Sequence, residues 1–151
     1  MKLRLISSRV VVLLREDDLA TETRRHREVQ ELNVLTDRII GCAIEVHRAL
    51  GPGLLESIYE KALCYELKLK SVTYVQQSLV PIQYKGQPLG DMRLDILVED
   101  AVVVELKAVD RMDPVFQAQL LSYLKITGKR LGLLINFNVP VLKDGIKRIA
   151  L

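Results

Sequence analysis

The sequence predicts an α/β fold in which helices flank one central mixed β-sheet. Apolar residues recur with a helical period from Asn33 to Leu50 and again over about 54–70. The period then falls to two residues between 72 and 107, which is the spacing of strands. A later helical stretch, 113–127, leads into the wholly apolar 131–135, and this order predicts a right-handed βαβ crossover.

One globular domain accounts for most of the chain. The 151 residues are 49% hydrophobic and 27% charged, the balance of an ordinary domain that can bury a core of its own. Residues 1–31 show no sustained period, so we interpret them as an N-terminal extension of uncertain order and 32–151 as the domain. Cys42 and Cys64 lie in apolar helical patterns and are expected to be reduced core residues.

Turn residues delimit the first two helices. The first helix ends at Gly51-Pro52-Gly53, and the second follows at once. Helical spacing predicts that the first helix packs on the core through Leu35, Ile39, Ala43, Val46 and Leu50. By the same spacing, the second helix would use Leu55, Ile58, Ala62, Tyr65 and Leu69.

Four strands are expected before the third helix, at 72–78, 79–85, 92–98 and 102–107. The turn formers Gly86, Pro88 and Gly90 close the first pair. Gly128 ends the third helix, and an amphipathic turn or helix at about 140–149 would complete the domain.

Composition restricts the function classes. The net charge of +3 does not by itself indicate a nucleic-acid binder. Residues 32–106 are net acidic and 107–151 net basic, which fits a carboxylate site beside a phosphate-binding face and fits solvated helix faces equally well. With only two histidines, a histidine-rich metal centre is excluded, so a bound metal would take oxygen ligands, as magnesium does.

No segment has the pattern of a signal peptide or a membrane span. Arg9 interrupts the short apolar run near the N-terminus, and acidic residues follow it. No stretch approaches the ~20 apolar residues that a membrane span needs. We therefore expect a cytoplasmic protein without membrane contact.

The strands 92–98 and 102–107 are predicted to bring like charges together. Their apolar residues can share one face across a hairpin only if 99–101 forms a three-residue loop. The residues on that shared face would be Leu94, Ile96, Val98, Val102, Val104 and Leu106. On the opposite face, Asp95 would pair with Glu105, and Arg93 with Lys107.

Two like-charged pairs in succession need a compensating interaction. Each pair destabilises a sheet by up to ~1 kcal/mol. A divalent cation between the carboxylates and a phosphate against the two bases would relieve both conflicts, and phosphodiester cleavage uses both. The alternative interpretation is an amphipathic hairpin whose charged face is solvated.

These residues resemble those of a known group of enzymes. Asp95 followed by Glu105-x-Lys107 resembles the core signature of the PD-(D/E)XK nuclease superfamily, although Leu94 stands where the superfamily has proline. Gly53-x-x-Glu56-x-x-Tyr59 resembles the motif that names the GxxExxY family within that superfamily. Gln119-x-x-x-Tyr123 is similar to the Q-x-x-x-Y element of RecB-like nucleases. The resemblance covers about 33–151 and implies a restriction-endonuclease-like sandwich.

The resemblance implies a metal-dependent hydrolase, an endonuclease or exonuclease that cleaves the phosphodiester bonds of DNA with Mg²⁺ or Mn²⁺. Asp95, Glu105 and the carbonyl of Leu106 would hold the metal. Glu56, in the first turn of its helix, would add a direct or water-mediated contact. Lys107 would orient the attacking water and stabilise charge that grows on the phosphate.

Other side chains are expected to have supporting roles, Gln119 and Tyr123 from the same resemblance and the rest from their residue type and position. Gln119 and Tyr123 lie four residues apart on one helix face and would hold the scissile phosphate or a metal-bound water. Arg93 would contact the substrate backbone. Tyr59 is expected to pack or to brace Glu56, and His47 to interact with the last carbonyls of its helix.

Two other interpretations of the motifs exist, and the sequence excludes only the first. The Gly51-Pro52-Gly53 turn does not indicate a nucleotide-binding loop, because it follows a helix and lacks the third glycine. A catalytically silent nuclease fold that acts as a nucleic-acid-binding or scaffolding module stays open. Because only 5% of the residues are aromatic, base stacking is a minor term, and sequence recognition would need a homodimer or a partner protein.

Overall fold

The structure is a computed structural model that describes the backbone of residues 2–7 and 10–151, and side chains from Arg15 onward. The chain divides into two compact units, residues 1–35 and 36–151.

The first unit contains a hairpin and the beginning of a long helix. Strands β1 (Lys2–Ser7) and β2 (Val10–Leu14) pair in antiparallel fashion. Helix α1 spans Glu16–Leu50, so the predicted start of this helix at Asn33 is wrong. The acidic residues of its first turn suit the positive end of the helix dipole. The exposed residues that follow have no apolar stripe, and periodicity therefore misses them.

The second unit is built on a five-stranded mixed sheet, as predicted. Its strands follow the order β3-β4-β5-β6-β7 and are antiparallel except for β5 and β6. They are β3 (Tyr74–Tyr84), β4 (Gln87–Val98), β5 (Val102–Lys107), β6 (Leu131–Asn136) and β7 (Ile146–Ala150). Helix α3 (Pro114–Thr127) joins the parallel strands β5 and β6, which confirms the predicted βαβ unit.

Several predicted strand boundaries are wrong. The strand predicted at 92–98 begins at Gln87, so Pro88 and Gly90 lie within β4 and not in the turn. The segments 72–78 and 79–85 belong to the single strand β3, which pairs with β4 along its length and turns at Lys85-Gly86. Both turn residues have the positive φ typical of a two-residue hairpin loop. The expected amphipathic segment near the C-terminus is a short 3-10 helix, Leu142–Gly145, followed by the edge strand β7.

Helix α2 (Glu56–Leu69) buries a different face from the predicted one. Its buried residues are Tyr59, Glu60, Leu63, Cys64 and Leu67, whereas Leu55, Ile58, Tyr65 and Leu69 are exposed. Both sets have helical spacing, so periodicity alone cannot choose between them. The prediction for α1 holds for Ile39, Ala43 and Val46 but not for Leu50, which is exposed.

Helix α3 packs closely on the sheet. Its Leu120 and Leu124 form a buried cluster with Met92, Leu94, Val103 and Leu134. A Cβ at Gly132 of β6 would lie 2.8 Å from Leu120 Cδ1, so the absence of a side chain at that position permits the close approach. Leu94 packs in this cluster beside Val103, although the alternation placed it on the face of Val102 and Val104.

Both cysteines are free and buried, as predicted. Burial raises the pKa of Cys42, and it raises the pKa of Cys64 to about 12. None of the described helices combines the length and apolar character that crossing a membrane requires.

Candidate active site

Two acidic side chains converge where β4 and β5 separate. Asp95 N–H donates to Glu105 Oε1 at 3.2 Å, and Leu106 N–H donates to Asp95 Oδ2 at 2.9 Å. Each carboxylate therefore reaches across to the backbone of the opposite strand. Asp95 is partly buried and Glu105 is only 7% exposed. We call Asp95 and Glu105 the acid pair.

The hairpin loop matches the prediction, but the ladder beyond it is shorter than predicted. Val98 pairs with Val102, and the loop residues Glu99 and Asp100 both have φ of 52°. The ladder between β4 and β5 ends at the pair of Ile96 with Val104. The acid pair is therefore joined by bonds from side chain to backbone and not by a regular ladder pair.

The predicted pairing of Arg93 with Lys107 is wrong. Arg93 pairs instead with Leu79 on β3, and its side chain is exposed. Pairing between β4 and β5 ends at Ile96 and does not reach Arg93. Beyond Ile96, Asp95 N–H donates to Glu105 and Leu106 N–H donates to Asp95, in place of ladder bonds between the two strands.

Burial and mutual repulsion shape the electrostatics of the acid pair. Burial, and next the charge of Asp95, raise the pKa of Glu105 to about 8. Burial, followed by the charge of Asp95, also raises the pKa of Glu56, at the start of α2. The charge of Lys107 lowers the pKa of both glutamates. The structure thus brings Glu56, Asp95, Glu105 and Lys107 into one electrostatic neighbourhood.

Tyr59 is buried in the core, and its hydroxyl binds the turn before α2. Its Oη donates to Gly51 O at 2.5 Å and accepts from Leu54 N–H at 3.1 Å. Its ring stacks on Phe137, with centroids 4.5 Å apart and planes 7° apart. Phe137 N–H in turn donates to Lys107 O at 2.9 Å. Tyr59 therefore ties the turn before α2 to the end of β5.

His47 does not serve the role expected from its position near the end of α1. Its Nε2 donates to the carbonyl of Val139, at 2.8 Å, and not to a carbonyl of its own helix. Its ring lies 6.4 Å from Phe137. The histidine is therefore a structural contact between α1 and the segment after β6.

Lys107 extends toward α3. Its Nζ lies 4.4 Å from the centroid of the Phe116 ring, within the range of a cation–π interaction. The sequence did not predict that Phe116 lies beside Lys107. Phe116 precedes Gln119 by three residues, a spacing that places both side chains on the same side of a helix and could have indicated its position.

Gln119 and Tyr123 lie on one face of α3, as their spacing predicts, and they also interact directly. Gln119 Nε2 donates to Tyr123 Oη at 2.6 Å. Burial, and then the charge of Glu105, raise the pKa of Tyr123, so this hydroxyl lies near the acid pair. Gln119 is exposed and Tyr123 is partly buried. The pair is thus placed between solvent and the acid pair.

The acid pair fits a hard divalent cation in its donor chemistry. Two carboxylates at a largely buried position, one of them with a raised pKa, gain from a nearby positive charge. Leu106 is fully buried beside them. Among the residues that the structure describes, no group of three or more His, Cys, Asp or Glu side chains is placed to hold a metal, so Glu56 does not complete a ligand set here.

Comparison with known proteins places these residues in a family. Residues 33–149 match the family model described as PD-(D/E)XK nuclease superfamily. No curated protein matches the chain. The chain is similar to a solved structure titled "Crystal structure of SSO0001", with 22% identity and a TM-score of 0.42. That similarity covers 62% of this chain and 47% of the other, so less than half of that chain is spanned.

Proposed function

The chain belongs to the PD-(D/E)XK nuclease superfamily, and we propose that it is an enzyme that hydrolyses the phosphodiester bonds of DNA with Mg²⁺ or Mn²⁺. The observation that carries this proposal is the convergence of Asp95 and Glu105 at a position where burial raises the pKa of Glu105. Residues 32–151 would form the catalytic domain, acting in the cytoplasm. The GxxExxY assignment stays a prediction.

The acid pair holds the cation in this proposal. Asp95, Glu105 and the carbonyl of Leu106 would supply oxygen ligands, and Glu56 would add a direct or water-mediated contact. When bound, the cation would supply a Lewis acid at the phosphate and lower the pKa of a coordinated water. Its positive charge would also offset the repulsion within the acid pair.

Lys107 orients the attacking water and stabilises negative charge on the phosphate. A compact ammonium group suits this task, since it acts as a point charge. The Phe116 ring, 4.4 Å from Nζ, restricts where that charge lies. Lys107 also lowers the pKa of Glu56 and Glu105, which favours their ionised forms.

Gln119 and Tyr123 position the scissile phosphate. Their mutual hydrogen bond fixes the direction of the two polar groups, and Tyr123 lies close enough to Glu105 for the glutamate charge to raise its pKa. Arg93 is exposed on β4 and contacts the DNA backbone away from the bond that breaks. Recognition of a base sequence would require a homodimer or a partner protein.

Cleavage assays with separated DNA forms test the proposal. Purified protein is incubated with linear, circular and single-stranded DNA and Mg²⁺ or Mn²⁺, with a chelator control. Lys107→Ala should lower the cleavage rate at least about 100-fold, because transition-state charge loses its stabilising group. Cleavage of circular DNA distinguishes internal from end attack.

Lys68→Ala is the matched control, because Lys68 is an exposed lysine at the far end of α2. It should cleave DNA at the unsubstituted rate. Equal cleavage by the unsubstituted protein and Lys107→Ala would contradict the proposal. Binding of DNA with no cleavage under any metal would favour the silent binding or scaffolding module.

A further inference from the structure

A buried carboxylate outside the acid pair is held by two glutamine side chains. Glu60 on α2 is only 7% exposed. Its Oε1 accepts hydrogen bonds from Gln76 Nε2 at 2.9 Å and from Gln77 Nε2 at 2.7 Å. Because a charged group is rarely buried without such partners, these two bonds fix one point of β3 against α2.

One of the two glutamines has an unusual backbone. Gln77 has φ of 55°, in the left-handed region that residues other than glycine adopt only at a cost in free energy. Its neighbours are regular, since Gln76 pairs with Ile96 and Ser78 pairs with Leu94. The ladder between β3 and β4 skips Gln77 and the residue that faces it.

The residue that faces Gln77 is Asp95. On its other side, Asp95 also lacks a ladder pair, because the pairing of β4 with β5 ends at Ile96. Asp95 binds β5 through its N–H to Glu105 and through its carboxylate to the N–H of Leu106. Strand β4 is therefore irregular on both edges at the same residue.

We propose that Glu60 and Gln77 are positioning residues for Asp95. The bond from Gln77 to the buried Glu60 carboxylate holds Gln77 in its left-handed conformation. That conformation releases Asp95 from regular pairing with β3 and allows it to turn toward β5. The proposal rests on the proposed function only in assigning Asp95 to the active site, since the contacts belong to the polypeptide alone.

Backbone amide hydrogen exchange of the full-length protein, without added metal, tests the proposal. The amides of Asp95 and Leu106 are the reporters, because each is bonded to a carboxylate of the acid pair. Gln77→Val should accelerate exchange at both about tenfold, since valine disfavours the left-handed region and lacks the amide. Gln77→Gly should accelerate it less, because glycine adopts this conformation freely.

Gln76→Ala is the matched control. Gln76 donates to the same carboxylate oxygen but lies in regular pairing with Ile96. Its replacement should change exchange at the Asp95 and Leu106 amides by less than about twofold. The Phe137 amide, bonded to Lys107 O, reports general loss of stability and should be unchanged in every variant.

Binding of Mn²⁺ gives a second readout by calorimetry. Gln77→Val and Glu60→Gln should each weaken it about tenfold, because misplacing one ligand lowers metal affinity. Unchanged exchange in folded Gln77→Val would overturn the proposal, as would equal acceleration by Gln76→Ala. If exchange changes as expected while the unsubstituted protein cleaves no DNA, the positioning role stands and the proposed nuclease activity fails.

Discussion

Glu105 keeps its proton to a higher pH in the folded protein than in the unfolded chain, because burial and the charge of Asp95 disfavour ionisation. Between the ordinary pKa of 4.5 and a folded pKa of about 8, the folded state therefore binds more protons than the unfolded state. The contribution of Glu105 to the free energy of unfolding is therefore fully present below its unfolded pKa, and it is lost as pH rises through its folded pKa.

The free energy of unfolding of the metal-free protein should fall from about pH 5 to about pH 8, by up to ~1.4 kcal/mol per pH unit from this group. Urea denaturation at several pH values measures the fall. Glu105→Gln should flatten the dependence, because the amide does not ionise. Saturating Mg²⁺ should reverse the fall in the unsubstituted protein only. A flat profile without metal would contradict the raised pKa.

Phe116 should matter through the position of Lys107. Phe116→Leu retains an apolar side chain but removes the ring beneath Nζ, so the cleavage rate should drop about threefold to tenfold, in line with ~1 kcal/mol for a cation–π contact. Single-turnover cleavage measures this. Phe116→Tyr keeps a ring and should retain the rate. Equal loss in both variants would show that packing, and not the ring, is responsible.

The candidate site residues that the sequence predicts are those whose positions follow from the alternation of apolar and polar residues within a strand. Asp95, Glu105 and Lys107 follow from two short strands and a loop between them, and the structure brings them together. Gln77 and Phe116 were missed because their roles depend on contacts between separate elements. A left-handed residue within a strand leaves no signal when it is glutamine, since nothing in the sequence sets it apart.

Among the elements, the loop between β4 and β5 was predicted well and the buried face of α2 poorly. Next to the loop, Val98 pairs with Val102 and Ile96 with Val104, as the alternation in the sequence predicts. The alternation fails beyond Ile96, where Leu94 packs with the residues of α3, and along β5, where residues 102–106 are all buried. In α2, apolar residues occupy both faces, and the face that is buried carries Tyr59, which stacks on Phe137. That contact joins residues 78 positions apart and is invisible to local periodicity.

Tyr59 should stabilise the start of α2 through both its hydroxyl and its ring. Tyr59→Phe removes the bonds to Gly51 O and Leu54 N and should lower the free energy of unfolding by about 1–2 kcal/mol. Tyr59→Ala also removes the ring stack and should cost about 3–5 kcal/mol. Thermal and urea denaturation measure both changes.

Tyr65→Phe is the control for these substitutions, because Tyr65 is 61% exposed on the same helix. It should change stability by less than about 0.5 kcal/mol. If Tyr59→Phe were equally silent, the hydroxyl contacts would not hold the turn before α2.

In the molecule as a whole, the described buried hydrophobic residues all lie at Ile39 or later. We therefore expect a chain that lacks residues 1–31 to fold and to retain the acid pair. Circular dichroism and Mn²⁺ calorimetry would measure this, with Mn²⁺ affinity expected within about twofold of the full chain. Loss of cooperative unfolding in the shortened chain would contradict the assignment of 32–151 as the domain.

The order of the elements could be predicted, but their distances could not. Helix, strands, helix and strand follow from changes of period, and the sheet order of the parallel crossover follows from its topology. The distance between α3 and the sheet depends on side-chain volumes at positions such as Leu120 and Gly132. The period of the apolar residues carries no information about these volumes.

The absence of a side chain at Gly132 permits the short distance between α3 and the sheet, and so affects the position of the residues that α3 carries. Phe116, Gln119 and Tyr123 all lie on α3, and Leu120 of this helix packs against Gly132. A methyl group added there would clash with the Leu120 side chain, so either that side chain or the whole helix would have to move. A movement of the helix would displace Phe116, Gln119 and Tyr123 together. A substitution at the buried Gly132 would thus change the proposed activity through the position of α3, and not through a contact with substrate.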